Sequence, residues 1–290
     1  MPFLKLVGPQ NPLLLLTDAE TRLYFGYCYR ASQMPDLGEI IMKMMLKGAA
    51  LLPICLFLTA TAQADNHEQE VFVYGTYSVC DLTQQERVDE IFEKLDKPIY
   101  DAAVADGTIT SYSYYAHHTG GKWRRGMFYV GSSIEMLLDA QKKIGEQIDA
   151  KNAKMSMEAS KICNKHEDYI WRRVAGGAGT SEPGKAVFSA YYVCDSREAQ
   201  ADALVTQVFA PAYDKLVADG DLTSWGYLEH IVGGHVRRVA TMTSADMKSL
   251  MAARAKLTAA LMDNPLGETF TNICDAHDDY MWEVKASGRQ

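Results

Sequence analysis

His166 and Asp168 stand two residues apart, and the pair returns as His277 and Asp279. On a strand that spacing puts both side chains on one face, where an imidazole and a carboxylate can act as a base and its orienting group. A second constellation is also doubled. His117, Gly120-Gly121 and Arg124-Arg125 return as His230, Gly233-Gly234 and Arg237-Arg238. Strand alternation puts His117 on a face with Tyr115, Arg125 with Trp123 and Met127, and Arg238 with Val236 and Ala240. A guanidinium beside aromatic walls suits a carboxylate or phosphate on an apolar ligand. His117, Arg125, His230, Arg238 and Tyr115 are therefore the ligand-binding candidates, with His166, Asp168, His277 and Asp279 as the second cluster. Plainer readings stand beside both. Tyr and Trp stripes pack cores, Arg pairs serve acidic neighbours, and a His-x-Asp strand can be a charged sheet edge.

The sequence lacks G-x-S-x-G, a phosphate-binding loop, H-E-x-x-H and C-x-x-C-H. No cofactor or metal is expected on this reading. Non-covalent haem needs only one axial histidine, which His117, His166, His230 or His277 could supply.

The elements that must hold these residues are duplicated too. Tyr77-Ser78-Val79-Cys80-Asp81 matches Tyr191-Tyr192-Val193-Cys194-Asp195, and Pro98-Ile99-Tyr100-Asp101 matches Pro211-Ala212-Tyr213-Asp214. Cys163-x-x-His166-x-Asp168-Tyr169-x-Trp171 matches Cys274-x-x-His277-x-Asp279-Tyr280-x-Trp282. Self-similarity at this scale is a domain duplication. In the first copy Val71 to Cys80 reads as a strand, and Thr83-x-x-Glu86 as a capping box opening a helix. Pro98 predicts a kink or break in that helix. Strands follow over Ile109–His118 and Lys122–Val130, joined at Gly120-Gly121. A helix opens at Ser132-x-x-Glu135, and the last strand is centred on Tyr169-Ile170-Trp171. The order β-α-β-β-α-β is the ferredoxin-like unit, in which the last strand lies antiparallel beside the first. Residues 65–176 form repeat 1, 177–184 a Gly-rich linker and 185–290 repeat 2.

Four cysteines lie in the repeats. Duplication favours Cys80–Cys163 and Cys194–Cys274 bridges, each joining the end of the first strand to the start of the last. The competing reading is a metal site at Cys163-x-x-His166 and Cys274-x-x-His277.

Two such units in tandem, with aromatic strands, resemble the dimeric α/β-barrel superfamily. That group includes antibiotic-biosynthesis-type monooxygenases, NIPSNAP-like proteins and haem-binding chlorite-dismutase and dye-peroxidase branches. The resemblance implies an α+β fold and a pseudo-dimer within one chain. It implies two sheets packed face to face, helices outside, and a cavity between or beside the sheets.

Upstream, Met42–Lys47 is a basic segment, Gly48–Leu58 an apolar stretch, and Ala62-Gln63-Ala64 a cleavage motif. Residues 42–64 thus read as a signal peptide, with 1–41 a non-native extension, and the location as periplasmic or secreted. No stable membrane span is expected after cleavage. A formal net charge of −8 argues against nucleic-acid binding. The expected function is a non-catalytic protein binding a small anionic or aromatic ligand or an envelope protein partner, as a monomer or homo-oligomer. The alternatives are a monooxygenase-like or haem-dependent enzyme of the superfamily, and a structural disulfide-stapled envelope protein.

Overall fold

The computed structural model describes residues 70–179, 183–261 and 264–290. The signal peptide and upstream extension lie outside the described residues. The described chain is α+β, with antiparallel strands closed into a barrel in the order β1-β3-β2-β8-β5-β7-β6-β4.

In the first half, β1 (Phe72–Val79) is followed by α1 (Gln85–Ile91), a π-helical turn over Phe92–Asp96, and α2 (Lys97–Ala105). Asp81 makes the turn before α1 by accepting from the Thr83 backbone at 2.8 Å and the Thr83 hydroxyl at 2.7 Å. Thr83 is therefore not the cap that the spacing predicts. Pro98 falls in the first turn of α2. Its missing N–H and its clash with the carbonyl four residues back widen the preceding turn instead of ending the helix. Next come β2 (Ser111–Thr119) and β3 (Arg125–Gly131), then the long α3 (Ile134–Ile162) and β4 (Lys165–Ala178). Ser133, not Ser132, caps α3 by accepting from the Met136 N–H. β4 outruns the predicted strand: Gly176–Ala178, assigned in part to the linker, pair with Ser224–Gly226.

The second half repeats the order, with β5 (Ala186–Val193), α4 (Glu198–Leu204), a π-helical turn over Val205–Phe209 and α5 (Ala210–Ala218). Then follow β6 (Ser224–Val232), β7 (Arg238–Ser244), α6 (Met247–Leu261), α7 (Pro265–Ile273) and β8 (Ala276–Arg289). Asn152 inside α3 and Asn264 before α7 do the same work, accepting from the N–H of Met155 and of Leu266.

The two halves join edge to edge, through β2 on β8 and β4 on β6, rather than face to face. Closure leaves β4 and β8 without a free edge. The barrel interior is solid, filled by Tyr77, Trp123, Tyr169, Trp171, Tyr191, Tyr280 and Trp282 with Val187, Val236 and Val239. The helices cover the outer face, so the cavities lie between barrel and helices. Disulfides join Cys80 to Cys163 and Cys194 to Cys274. The thiols are thus consumed, which removes the Cys-x-x-His metal alternative. Among the described residues no cluster of His, Cys, Asp and Glu could hold a metal ion, and no helix is long and apolar enough to cross a membrane.

Candidate functional site

The doubled His-Gly-Gly-Arg-Arg run is assembled as scaffold. Gly120 and Gly233 have φ of 130° and 145°. Each lies flat against the tyrosine of the other half, Tyr280 or Tyr169, so close that a Cβ would collide with the ring. His117 follows Tyr115 on the interior face, edge-on to Tyr280 and Trp282 at 6.2 Å. Arg124 lies 2.8 Å from His117 Nε2, and Arg237 2.8 Å from His230 Nδ1. Burial, and then the neighbouring guanidinium, hold both imidazoles below the ordinary histidine pKa.

Arg125 and Arg238 turn outward, onto the helices. All five Arg125 donors are engaged, by Asp89, by the Gln85 side chain and by the carbonyls of Gln85 and Arg124. Arg238 bonds Asp202, Glu198 and the Arg237 carbonyl in the same manner. These pairs rivet α1 and α4 to the barrel. Trp123, expected on the face of Arg125, instead points inward, because β3 starts only at Arg125 and alternation does not extend back past it. Tyr115 packs on Phe128 inside the barrel.

The His-x-Asp pairs lie on the outer face, under the second helices, and there the halves differ. In the first, Thr76 opposes Asp168 across the ladder and donates to it at 2.8 Å, while His166 Nδ1 lies 2.8 Å from the other oxygen. Gln141 donates to the Tyr74 hydroxyl at 2.7 Å, and Tyr74 stacks on Tyr129 at 5.1 Å. The remaining cleft is about 340 Å³.

In the second half, Ala190 opposes Asp279, so no hydroxyl reaches the carboxylate. Asp279 Oδ1 is buried without a hydrogen-bond partner. His277 Nε2 stands 3.6 Å from it, and Arg254 reaches Oδ2 at 3.5 Å. Ala240 replaces Met127 and Val205 replaces Phe92, which removes side-chain volume. The resulting cleft of about 630 Å³ runs between the barrel and α6–α7, past Phe188, Phe209, Tyr213, Met242, Leu257 and Phe270. Its polar end holds Tyr192, Arg254, His277 and Asp279. Burial and Asp279, opposed by Arg254, push the Tyr192 phenol up to about 12. Burial likewise raises Tyr213. Both phenols therefore stay protonated at neutral pH and can donate hydrogen bonds. An apolar trough with a carboxylate, an imidazole and a guanidinium at one end can bind an aromatic molecule and remove a proton from it.

The structure thus brings His277 and Asp279 to a cleft and places His117, His230, Arg125 and Arg238 in packing and ion pairs. Arg254 and Tyr192 escape the sequence reading. Their signal is divergence between the copies, Arg for Gln141 and Tyr for Ser78.

No protein-family model and no curated protein matches the chain. Solved structures do. An anthrone oxidase-like protein aligns at TM-score 0.52 and 12% identity, over 77% of this chain and 94% of that one. A monooxygenase-like protein of Lactobacillus acidophilus aligns at 0.52 and 8%, over 77% and 97%. Another, from Fusobacterium nucleatum, aligns at 0.55 and 6%, over 76% and 94%. These neighbours correct the expectation of a non-catalytic binding protein, since they are named as an oxidase-like protein and monooxygenases.

Proposed function

From the premise that this chain has the dimeric α/β-barrel fold, we propose that its second-half cleft is the active site of a cofactor-independent oxidase or monooxygenase acting on an aromatic carbon acid. The observation that carries the reading is the buried, unpartnered Asp279 Oδ1 at the end of an apolar cleft. Asp279 is the base, and His277, 3.6 Å away and half exposed, passes the proton to solvent. An acidic CH₂ between aromatic rings loses a proton to Asp279, and the carbanion gives its electrons to dioxygen. The balance is R₂CH₂ + O₂ → R₂C=O + H₂O. The substrate itself is the reductant, so no resident cofactor is required.

The test is dioxygen uptake and quinone formation with anthrone as probe. Wild type accelerates the reaction, and Asp279→Asn lowers kcat about 10²- to 10⁴-fold, the usual contribution of a positioned base. Equal rates for the two proteins would overturn the reading. Haem is the second reading, favoured only by the presence of His277 on the cleft wall. A Soret band that appears on haem titration and is lost in His277→Ala would promote it.

Two disulfides support an exported protein, as does the expected signal peptide at 42–64. The matched strand pairings of the halves support a tandem ferredoxin-like duplication, with residues 65–176 and 185–290 as its copies. The closed barrel supports a monomeric pseudo-dimer, checked by native mass spectrometry.

A further inference from the structure

Among the arginines of the outer face, Arg254 differs in what its donors do. Arg125 and Arg238 are saturated by carboxylates and carbonyls. Arg254 lies over the Phe188 ring at 4.8 Å and approaches Asp279 only at 3.5 Å, and its N–H groups make no hydrogen bond among the described residues. In the first half the same position is Gln141, whose amide is committed to the Tyr74 hydroxyl. The second half has Phe188 there, with no hydroxyl to receive a bond. Arg254 therefore presents a planar fork of donors to an apolar cleft, beside two phenols that burial keeps protonated.

We propose that Arg254 receives the anionic oxygen of the substrate, and that the substrate is a fused aromatic carrying a phenol or enol conjugated to the reacting carbon. This rests on the reading of the same cleft as an active site. Before reaction the Asp279 carboxylate balances the guanidinium. When the substrate C–H breaks, its proton goes to Asp279 Oδ1 and the electron pair stays on the substrate, delocalised onto oxygen. Asp279 becomes neutral as the substrate becomes an anion, so the charge facing Arg254 moves from protein to substrate. The interaction strengthens along the reaction coordinate, which is the condition for lowering a barrier rather than only tightening binding. Arg suits this role better than Lys because its flat fork can bond a phenolate and a neighbouring carbonyl together.

The experiment uses ligands that cannot react, so that it reads independently of turnover. 1,8-Dihydroxyanthraquinone and unsubstituted anthraquinone are titrated into the full-length protein, following protein fluorescence and the visible absorption of the dye. The hydroxylated quinone should bind at least tenfold more tightly, and its absorption should shift to the red as the bound phenol ionises. Its affinity should climb with pH through the phenol pKa, while that of anthraquinone stays level. Arg254→Gln, which installs the first-half residue, should abolish both the preference and the red shift, and Arg254→Lys should restore part of each. A preference and red shift that survive Arg254→Gln overturn the proposal, as does a wild type that binds the two quinones equally and without pH dependence. If anthrone is not oxidised yet the Arg254-dependent shift is present, the oxidase reading fails and the anion-receiving role stands.

Discussion

The two halves of the barrel carry the same His-x-Asp pair in the same place, yet only the second keeps its carboxylate unsatisfied. In the first half, Thr76 donates to Asp168 and the His166 ring stands 2.8 Å from its other oxygen, while Gln141 and Tyr129 close in around Tyr74. In the second, Ala190, Ala240 and Val205 withdraw those contacts while Arg254 brings a charge. Two halves built from the same order of elements keep in common what both need in order to fold. Chemistry belonging to one copy therefore sits where the copies disagree, at shared residues whose neighbours have changed.

The strongest way to break this comparison is to make the same substitution twice. Asp279→Asn should cost the anthrone reaction about 10²- to 10⁴-fold in kcat. Asp168→Asn should leave turnover within about threefold, because Asp168 is engaged by Thr76 and His166. Steady-state dioxygen consumption decides. Equal losses at the two positions would show that the copies act alike.

The disulfides sharpen the comparison from the side of stability. The bridges span 83 and 80 residues, so in the chain-entropy model each contributes about 4.5 kcal/mol. Replacing either cysteine pair by serine should therefore lower stability to chemical denaturation by similar amounts. Only the Cys194/Cys274 variant should also weaken quinone binding, because Cys274 lines the second cleft and terminates α7.

Much of this was legible in the sequence, for a physical reason. Turn glycines, strand alternation and paired cysteines are local or duplicated signals, so the strands, bridges and the β1–β4 pairing could be read directly, whereas the caps at Thr83 and Ser132 were misplaced. Barrel closure is set by which sheet edges meet between the halves, and no local pattern records it. The same limit explains the misplaced Trp123, since alternation holds only within a strand and β3 begins two residues later. His277 and Asp279 stood out as chemistry-bearing types. Arg254 did not, since a lone arginine in a helix resembles any solvated charge until its neighbours are known.

A further asymmetry is titratable. Asp96 lines the first cleft, while its counterpart in the second is Phe209. Burial raises the Asp96 carboxyl to about 7, against a small lowering by Lys151. An acid whose folded pKa lies above its unfolded value holds a proton that the unfolded chain has already released. The native state then binds more protons over the interval from about pH 4 to 7, and its stability falls as pH rises through it. Asp96→Asn should remove that fall, worth on the order of a few kcal/mol. Urea midpoints at pH 4.5 and 7.5 for the two proteins measure it. An unchanged difference between the midpoints would place Asp96 in contact with water.

The smallest effects belong to the most conspicuous repeated pattern. His117 and His230 hold corresponding places in the two halves, edge-on to aromatic rings and 2.8 Å from an arginine, and neither lines the second cleft. Their folded pKa is lowered, so they stay neutral in the fold. The unfolded chain takes up protons first as pH drops below about 6.5, and the stability that the neutral rings provide is then lost toward the folded pKa. Replacing both by glutamine should flatten that acid-side loss and cost about 1 kcal/mol or less per site at pH 7.5, the scale of one hydrogen bond. Turnover should stay within about twofold. A tenfold fall in kcat with an unchanged melting temperature would instead bring the barrel ends into the chemistry, and the difference between the two clefts would then no longer mark where the site is.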